Sequence, residues 1–223
     1  MIRLRNVHKT FRVRAGYKTI ARGVNMDFPK GKCVALLGRN GAGKSSLMNM
    51  LAGSMQPDRG TILIDGSVSW PVGFQGSFHN DLTGSQNTRF LARVYGVDTD
   101  ELVDFVQDFA ELGKHFHQPL RTYSSGMRSR LGFGVSMGIH FDIYLVDEVT
   151  AVGDAAFKEK SMELFLNRME QSSSIFVSHS MSAVREICDV AVVLENGRMR
   201  YFRDVDEGIA QHEHNMFRKR KPG

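Results

Sequence analysis

Only 2 cysteines, 5 prolines and 1 tryptophan occur in 223 residues, and no apolar run is long enough to cross a bilayer. Each scarcity excludes something. Cys33 and Cys188 lie in apolar stretches and read as small core residues of a cytosolic protein, not as a disulfide framework. The longest apolar stretch, around Leu131 to Val146, is interrupted by His140 and Asp142, whereas a membrane helix needs about 20 apolar residues. The opening Met1-Ile2-Arg3-Leu4-Arg5 lacks the apolar core of a secretion signal. There is no heptad run, no internal repeat and no low-complexity segment before the C-terminal tail.

What is present is ordinary for a globular chain: 42% hydrophobic and 24% charged residues, enough for one core with an inserted subdomain. The net charge of +5 is not a nucleic-acid signature. Four of those charges are Arg218, Lys219, Arg220 and Lys221, which leaves +1 for the body. That tail reads as a solvated, disordered end, with weak attraction to an anionic membrane surface as the competing role.

Residues 2 to 28 read as short strands, and Pro29-Lys30-Gly31 is a turn. Val34–Leu37 is a buried strand and a helix runs from about Gly43 to Leu51. Thr61–Ile64 is a strand closed by Asp65-Gly66. From about Leu82 to Ile139 the pattern turns helical; Leu102, Phe105, Val106 and Phe109 share one face of a helix. Alternation then resumes with Ile143–Val146, a helix over 155–169, Ile175–Val177, a helix over 181–187, Val190–Leu194 and Arg198–Phe202. An α/β core with a helical insertion follows. Ligands of such sheets bind beyond the carboxyl ends of the strands, where three polar segments are expected to converge: 38–45, Asp147-Glu148 and Ser178-His179.

Gly38-Arg39-Asn40-Gly41-Ala42-Gly43-Lys44-Ser45 matches the P-loop pattern without a mismatch. Its glycines let backbone N–H groups close around phosphate at a helix N-terminus. Lys44 is expected to reach the β- and γ-phosphates and the Ser45 hydroxyl to ligate Mg²⁺. Ser124 is a good N-cap, and Ser125-Gly126 expose further N–H groups at a second helix start. Gly132, Gly134 and Gly138 in that helix suggest close packing. The pairs His115/His117 and His212/His214 lack accompanying thiols or acids and read as surface residues.

The P-loop, then Tyr123-Ser124-Ser125-Gly126-Met127-Arg128, then a strand ending in Asp147-Glu148 resembles the ATP-binding subunit of an ABC transporter over nearly the whole chain. The resemblance implies a P-loop NTPase (RecA-like) core with an N-terminal antiparallel β subdomain and an inserted α-helical subdomain at about 82–139. It places an ATP-binding domain over 1–205 and a C-terminal helix and basic tail over 206–223. Gly38, Arg39, Asn40, Gly41, Ala42, Gly43, Lys44, Ser45 and Ser46 would hold ATP; Ser45, Gln75 and Asp147 would hold Mg²⁺. Glu148 would polarise the attacking water and His179 would contact the γ-phosphate. Phe11 would stack on adenine, with Tyr17 the alternative. Ser124, Ser125 and Gly126 would reach the ATP of a second copy, and Asp154 would end the D-loop at that dimer interface.

Ser69-Trp70-Pro71-Val72-Gly73-Phe74, Leu82-Thr83-Gly84 and Thr122–Arg128 are especially similar to capsular polysaccharide export ATPases. The chain ends soon after the core, which fits that type better than O-antigen or teichoic-acid exporters with added C-terminal domains. The implied setting is the cytoplasmic face of a Gram-negative inner membrane. The implied partners are a second copy, two polytopic permease subunits, periplasmic and outer-membrane export proteins and a lipid-linked polysaccharide cargo, without nucleic acid. A soluble, non-transport ABC ATPase is the rival.

Overall fold

The computed structural model describes residues 1–14, 16–72, 78–147 and 154–218. These fall into two compact units.

The first unit is built on two sheets. Strands β1 (Ile2–Val13), β2 (Gly16–Phe28) and β4 (Arg59–Ile64) form an antiparallel sheet in the order β2-β1-β4. The short strands expected over 2–28 are thus two strands of 12 and 13 residues. Polar residues hid this continuity: Arg5 and Asn6 are adjacent and exposed, which breaks the period of two. A bulge accounts for it, with register shifts between Leu4 and His8 and Asn6 at φ 49°. Gly60 is required opposite, because a side-chain carbon there would strike the Asn6 carbonyl.

The second sheet runs β5-β6-β7-β3-β8-β9. It contains β3 (Cys33–Leu37), β5 (Val68–Pro71), β6 (Ile143–Asp147), β7 (Ser173–Val177), β8 (Val190–Glu195) and β9 (Arg198–Phe202). Strands β5, β6, β7, β3 and β8 are parallel; β9 returns antiparallel through a turn at Asn196-Gly197, both with positive φ. Strand β5 was not expected: it has four residues and ends in proline, which suits only a sheet edge. One face of this sheet presents Val34, Leu36, Leu145, Ile175, Val192 and Leu194 to a core shared with helix α1 (Lys44–Leu51) and with Leu4, Val7 and Ile20 of the antiparallel sheet. Both faces of the central strands are buried, so their sequences are continuous apolar runs. The Cys33 and Cys188 sulfurs lie 3.3 Å apart in this interior, as free thiols.

Helix α6 (Met181–Ile187) precedes β8, and α7 (Val205–Arg218) follows β9. Helix α7 packs on β8 and β3. Gly208 is its contact residue: any side-chain carbon there would collide with the Ala191 Cβ.

The second unit gathers α2 (Gly84–Tyr95), α3 (Thr99–Ala110), α4 (Ser125–Gly138) and α5 (Ala155–Glu170) as far as Arg168. Thr83 and Gln86 form a reciprocal capping box on α2, and Asp98 caps α3. The expected face of α3 packs against the glycines of α4: Leu102 Cδ1 lies 2.5 Å from a Cβ placed on Gly138, and Phe109 Cδ1 lies 3.4 Å from one on Gly134. Gly84 has a similar role, because the Tyr123 hydroxyl occupies the space where its side chain would be. Gly84→Ala is therefore expected to cost about 1–3 kcal/mol of stability by overpacking, read as a lowered thermal midpoint of the purified chain.

Candidate nucleotide site

The P-loop joins buried β3 to α1 and owes its shape to glycine. Gly41 and Gly43 have φ of 75° and 112°, and a Cβ on Gly38 would lie 2.6 Å from the Leu194 carbonyl oxygen. Gly43 is the N-cap of α1 and no side chain caps that helix, so its first N–H groups face outward as an anion site. Lys44 Nζ donates to the carbonyls of Gly38 at 2.7 Å and Arg39 at 3.4 Å, holding the ammonium inside the loop. Arg39 Nη1 is buried without a hydrogen-bond partner. Asn40 is exposed, Ala42 packs against the core, and Ser45 and Ser46 lie in the first turn of α1.

Segment 38–45, Asp147 and Ser178-His179 leave the same edge of the sheet. Asp147 ends β6 opposite Val177 of β7, and His179 follows β7 by two residues and is exposed. Gln75 and Glu148 lie outside the described residues, as does the tail from 219 to 223. Phe11 and Tyr17 belong to the β1–β2 hairpin. Phe11 is half-buried, packs against the core cluster and has Lys9 Nζ 5.4 Å from its ring centre; Tyr17 is 78% exposed.

Two residues near the P-loop escaped the sequence reading. Lys18 pairs with Phe11 across the hairpin, and its Nζ lies 3.0 Å from a Cβ placed on Gly41, adding a second cation beside the loop. No motif marks it; only the hairpin register brings it there. The other is His212, expected at the surface. Helix α7 carries it instead to a half-buried position with Nδ1 enclosed and unpartnered. Burial lowers its pKa, and the charges of Lys44 and His179 lower it further while Glu195 and Glu213 oppose them. His115, His117 and His214 are exposed as expected.

In the other unit, Ser124 caps α4 by accepting from the Met127 N–H at 3.2 Å, and a Cβ on Gly126 would meet only the Ser124 Oγ, at 3.9 Å. Asp154 caps α5 through the Phe157 N–H and is bound at 2.9 Å by Arg130, one turn into α4. That N–H, and then Arg130, hold its carboxyl below the usual carboxylate range. Arg130 also lies 4.4 Å over the Phe157 ring. Sequence reading missed this arginine, which ties the two helix starts together.

Tyr123 is buried and donates to the His115 carbonyl at 2.6 Å, and burial pushes its pKa up to about 12. The folded state therefore favours the neutral phenol. Its stabilising contribution is complete below the unfolded value of about 10 and is lost as pH rises toward about 12. Denaturation midpoints measured from pH 9 to 12 should fall less steeply in Tyr123→Phe than in the parent.

The donors around the P-loop suit a phosphate-bearing ligand: an uncapped helix start, an enclosed Arg39 nitrogen and a lysine whose ammonium is held at the loop carbonyls. Ser45 and Asp147 are hard oxygen ligands of the kind Mg²⁺ takes. Among the described residues no group of three His, Cys, Asp or Glu could hold a metal unaided. An ion there would share its shell with phosphate oxygens and water.

Comparison with known proteins agrees with this geometry. A family model described as ABC transporter matches residues 21–151. The polysialic acid transport ATP-binding protein KpsT of Escherichia coli is 49% identical over 216 residues, covering 96% of each chain. The capsule polysaccharide export ATP-binding protein CtrD of Neisseria meningitidis serogroup B is 44% identical over 93% of this chain and 96% of its own. Among solved structures, the ATP-binding cassette MJ0796, a dimer bound to ADP and phosphate, superposes with a TM-score of 0.75 at 21% identity. That match covers 91% of this chain and 98% of the cassette, and it carries the fold.

Proposed function

The chain belongs to the ABC transporter family, and from that membership we propose that it binds and hydrolyses ATP to drive export of a capsular polysaccharide. The observation that carries the cargo class is the near-full-length identity of 49% to a polysialic acid transport protein and 44% to a capsule export protein. In this reading the chain works as a pair, each copy bound to a polytopic permease subunit at the cytoplasmic face of the inner membrane. No helix among the described residues is long and apolar enough to cross a membrane, so the permease supplies the path. Periplasmic and outer-membrane export proteins continue it, and the cargo is lipid-linked.

The P-loop N–H groups from Gly41 to Ser45 wrap the β- and γ-phosphates, and Lys44 exchanges the carbonyls of Gly38 and Arg39 for phosphate oxygens. Ser45, Asp147 and Gln75 hold Mg²⁺, which supplies charge neutralisation at the phosphates. Glu148 polarises the attacking water and His179 donates to the γ-phosphate. Phe11 stacks on adenine, its ring already fixed by the core on one side. Ser124, Ser125 and Gly126 of one copy offer their helix N-terminus to the nucleotide of the other, with Asp154 beside them. Phosphoryl transfer needs such positioning more than covalent chemistry.

Deleting the chain from a capsulated Gram-negative host should abolish surface polysaccharide and leave polymer accumulating inside the cell. Both are measurable by antibody labelling before and after permeabilisation. An unchanged capsule would end the export reading.

A further inference from the structure

Helix α7 packs tightly on the sheet at Gly208, where a Cβ would lie 2.4 Å from that of Ala191, with Ile209 buried beside it. Further along the helix a cavity of about 840 Å³ opens between α7 and the β8–β9 hairpin. Arg22, Glu195, Arg198 and Arg200 line it from the strands, and Gln211 and Asn215 from the helix. Its walls thus carry three cations, one anion and three amides beside the apolar Val193 and Met199.

The arginines are positioned but not neutralised. Arg22 lays its stem over Gly197 and donates Nε to the Asn196 carbonyl at 3.2 Å. Arg200 donates to Gln211 Oε1 at 3.1 Å and stacks 4.9 Å over Phe202. Arg198 faces Glu195 directly across the hairpin, where opposite charges ordinarily pair. Yet none of the three forms an ion pair with a carboxylate among the described residues. Glu195 lies instead within electrostatic reach of His212. Arg198 and Arg200 stand two residues apart on one side of an edge strand, about 7 Å apart along the chain.

Guanidinium forks left open in this way match carboxylate or phosphate oxygens. Gln211 donates to Asn215 Oδ1 at 2.9 Å, and the two amides retain donors suited to hydroxyl groups. No aromatic ring lines the cavity, so a nucleobase would have nothing to stack on. The volume falls in the range of small-ligand sites, roughly 300–1,000 Å³. We propose that this groove binds a segment of acidic saccharide, its anionic groups on Arg198 and Arg200 and its hydroxyls on Gln211 and Asn215. The identification as saccharide rests on the export reading above; the anion chemistry stands on the arginines alone.

The test is calorimetric titration of the purified full chain, with ADP saturating so that the P-loop is filled. The probes are tetragalacturonate, neutral maltotetraose and inorganic pyrophosphate. Saturable binding of the acidic tetrasaccharide is expected, with none for the neutral one and weaker binding of pyrophosphate. Arg198→Ala should weaken the acidic probe about tenfold, and the double variant with Arg200→Ala about a hundredfold. Arg203→Ala, outside the groove, should leave it unchanged, and unaltered thermal midpoints will show that the variants fold. No binding of tetragalacturonate, equal binding of maltotetraose, or pyrophosphate binding as tightly as the saccharide would each overturn the proposal. Those results leave the capsule phenotype of the deletion untouched, so the two readings fail separately.

Discussion

Alanine at position 44 is expected to lower both ATP affinity and ATP hydrolysis by about 10²–10³-fold. The estimate follows from the loss of one charge-assisted contact to phosphate in an enclosed site, about 3–4 kcal/mol. Lys44 Nζ now rests on the Gly38 and Arg39 carbonyls, so the ammonium is already beside the uncapped start of α1. Its replacement removes the cation without disturbing the glycines that shape the loop. The fold should persist, because the glycines that set the loop's shape are untouched and the Gly38 and Arg39 carbonyls can turn to water. Nucleotide affinity by fluorescence titration and phosphate release by the assembled complex are the two readouts. Parent-like affinity would remove the lysine from the phosphate cradle.

Glu148→Gln is expected to separate binding from turnover. Glutamine keeps the length of the side chain and can still accept a hydrogen bond from water, but it cannot take a proton. Loss of a positioned base costs about 10²–10⁴-fold. Glu148 itself lies outside the described residues, but Asp147 before it ends β6 at the same sheet edge as the P-loop and His179. ATP should therefore bind with parent affinity while single-turnover hydrolysis nearly stops, and the ATP-loaded pair of subunits should become long-lived by size-exclusion chromatography. Hydrolysis at the parent rate would reassign the base.

The parts of this architecture that could be read from sequence are those whose signal is local. Strands β3, β6 and β7 announce themselves as apolar runs because both their faces are buried, and α6 and β9 begin and end where their patterns do. The P-loop is legible because its backbone shape needs glycine at fixed offsets. Strand β5 is too short to show a period, and the bulge at Asn6 conceals the length of β1. Lys18, Arg130 and His212 are illegible for a different reason. Each reaches its place through pairing or packing with a distant element, and an isolated lysine, arginine or histidine in a polar stretch carries no mark of that partner.

Arg130 shows what such a long-range placement does. Its guanidinium clasps Asp154 and covers Phe157, while its backbone belongs to the helix that Ser124 begins. The two helix starts are therefore bolted together. The link is one ion pair, with its carboxylate 69% exposed, and one cation–ring contact, and it joins the two starts directly rather than through the chain between them. A lysine here would keep the charge but lose the flat, forked grip, turning a stiff bracket into a tether.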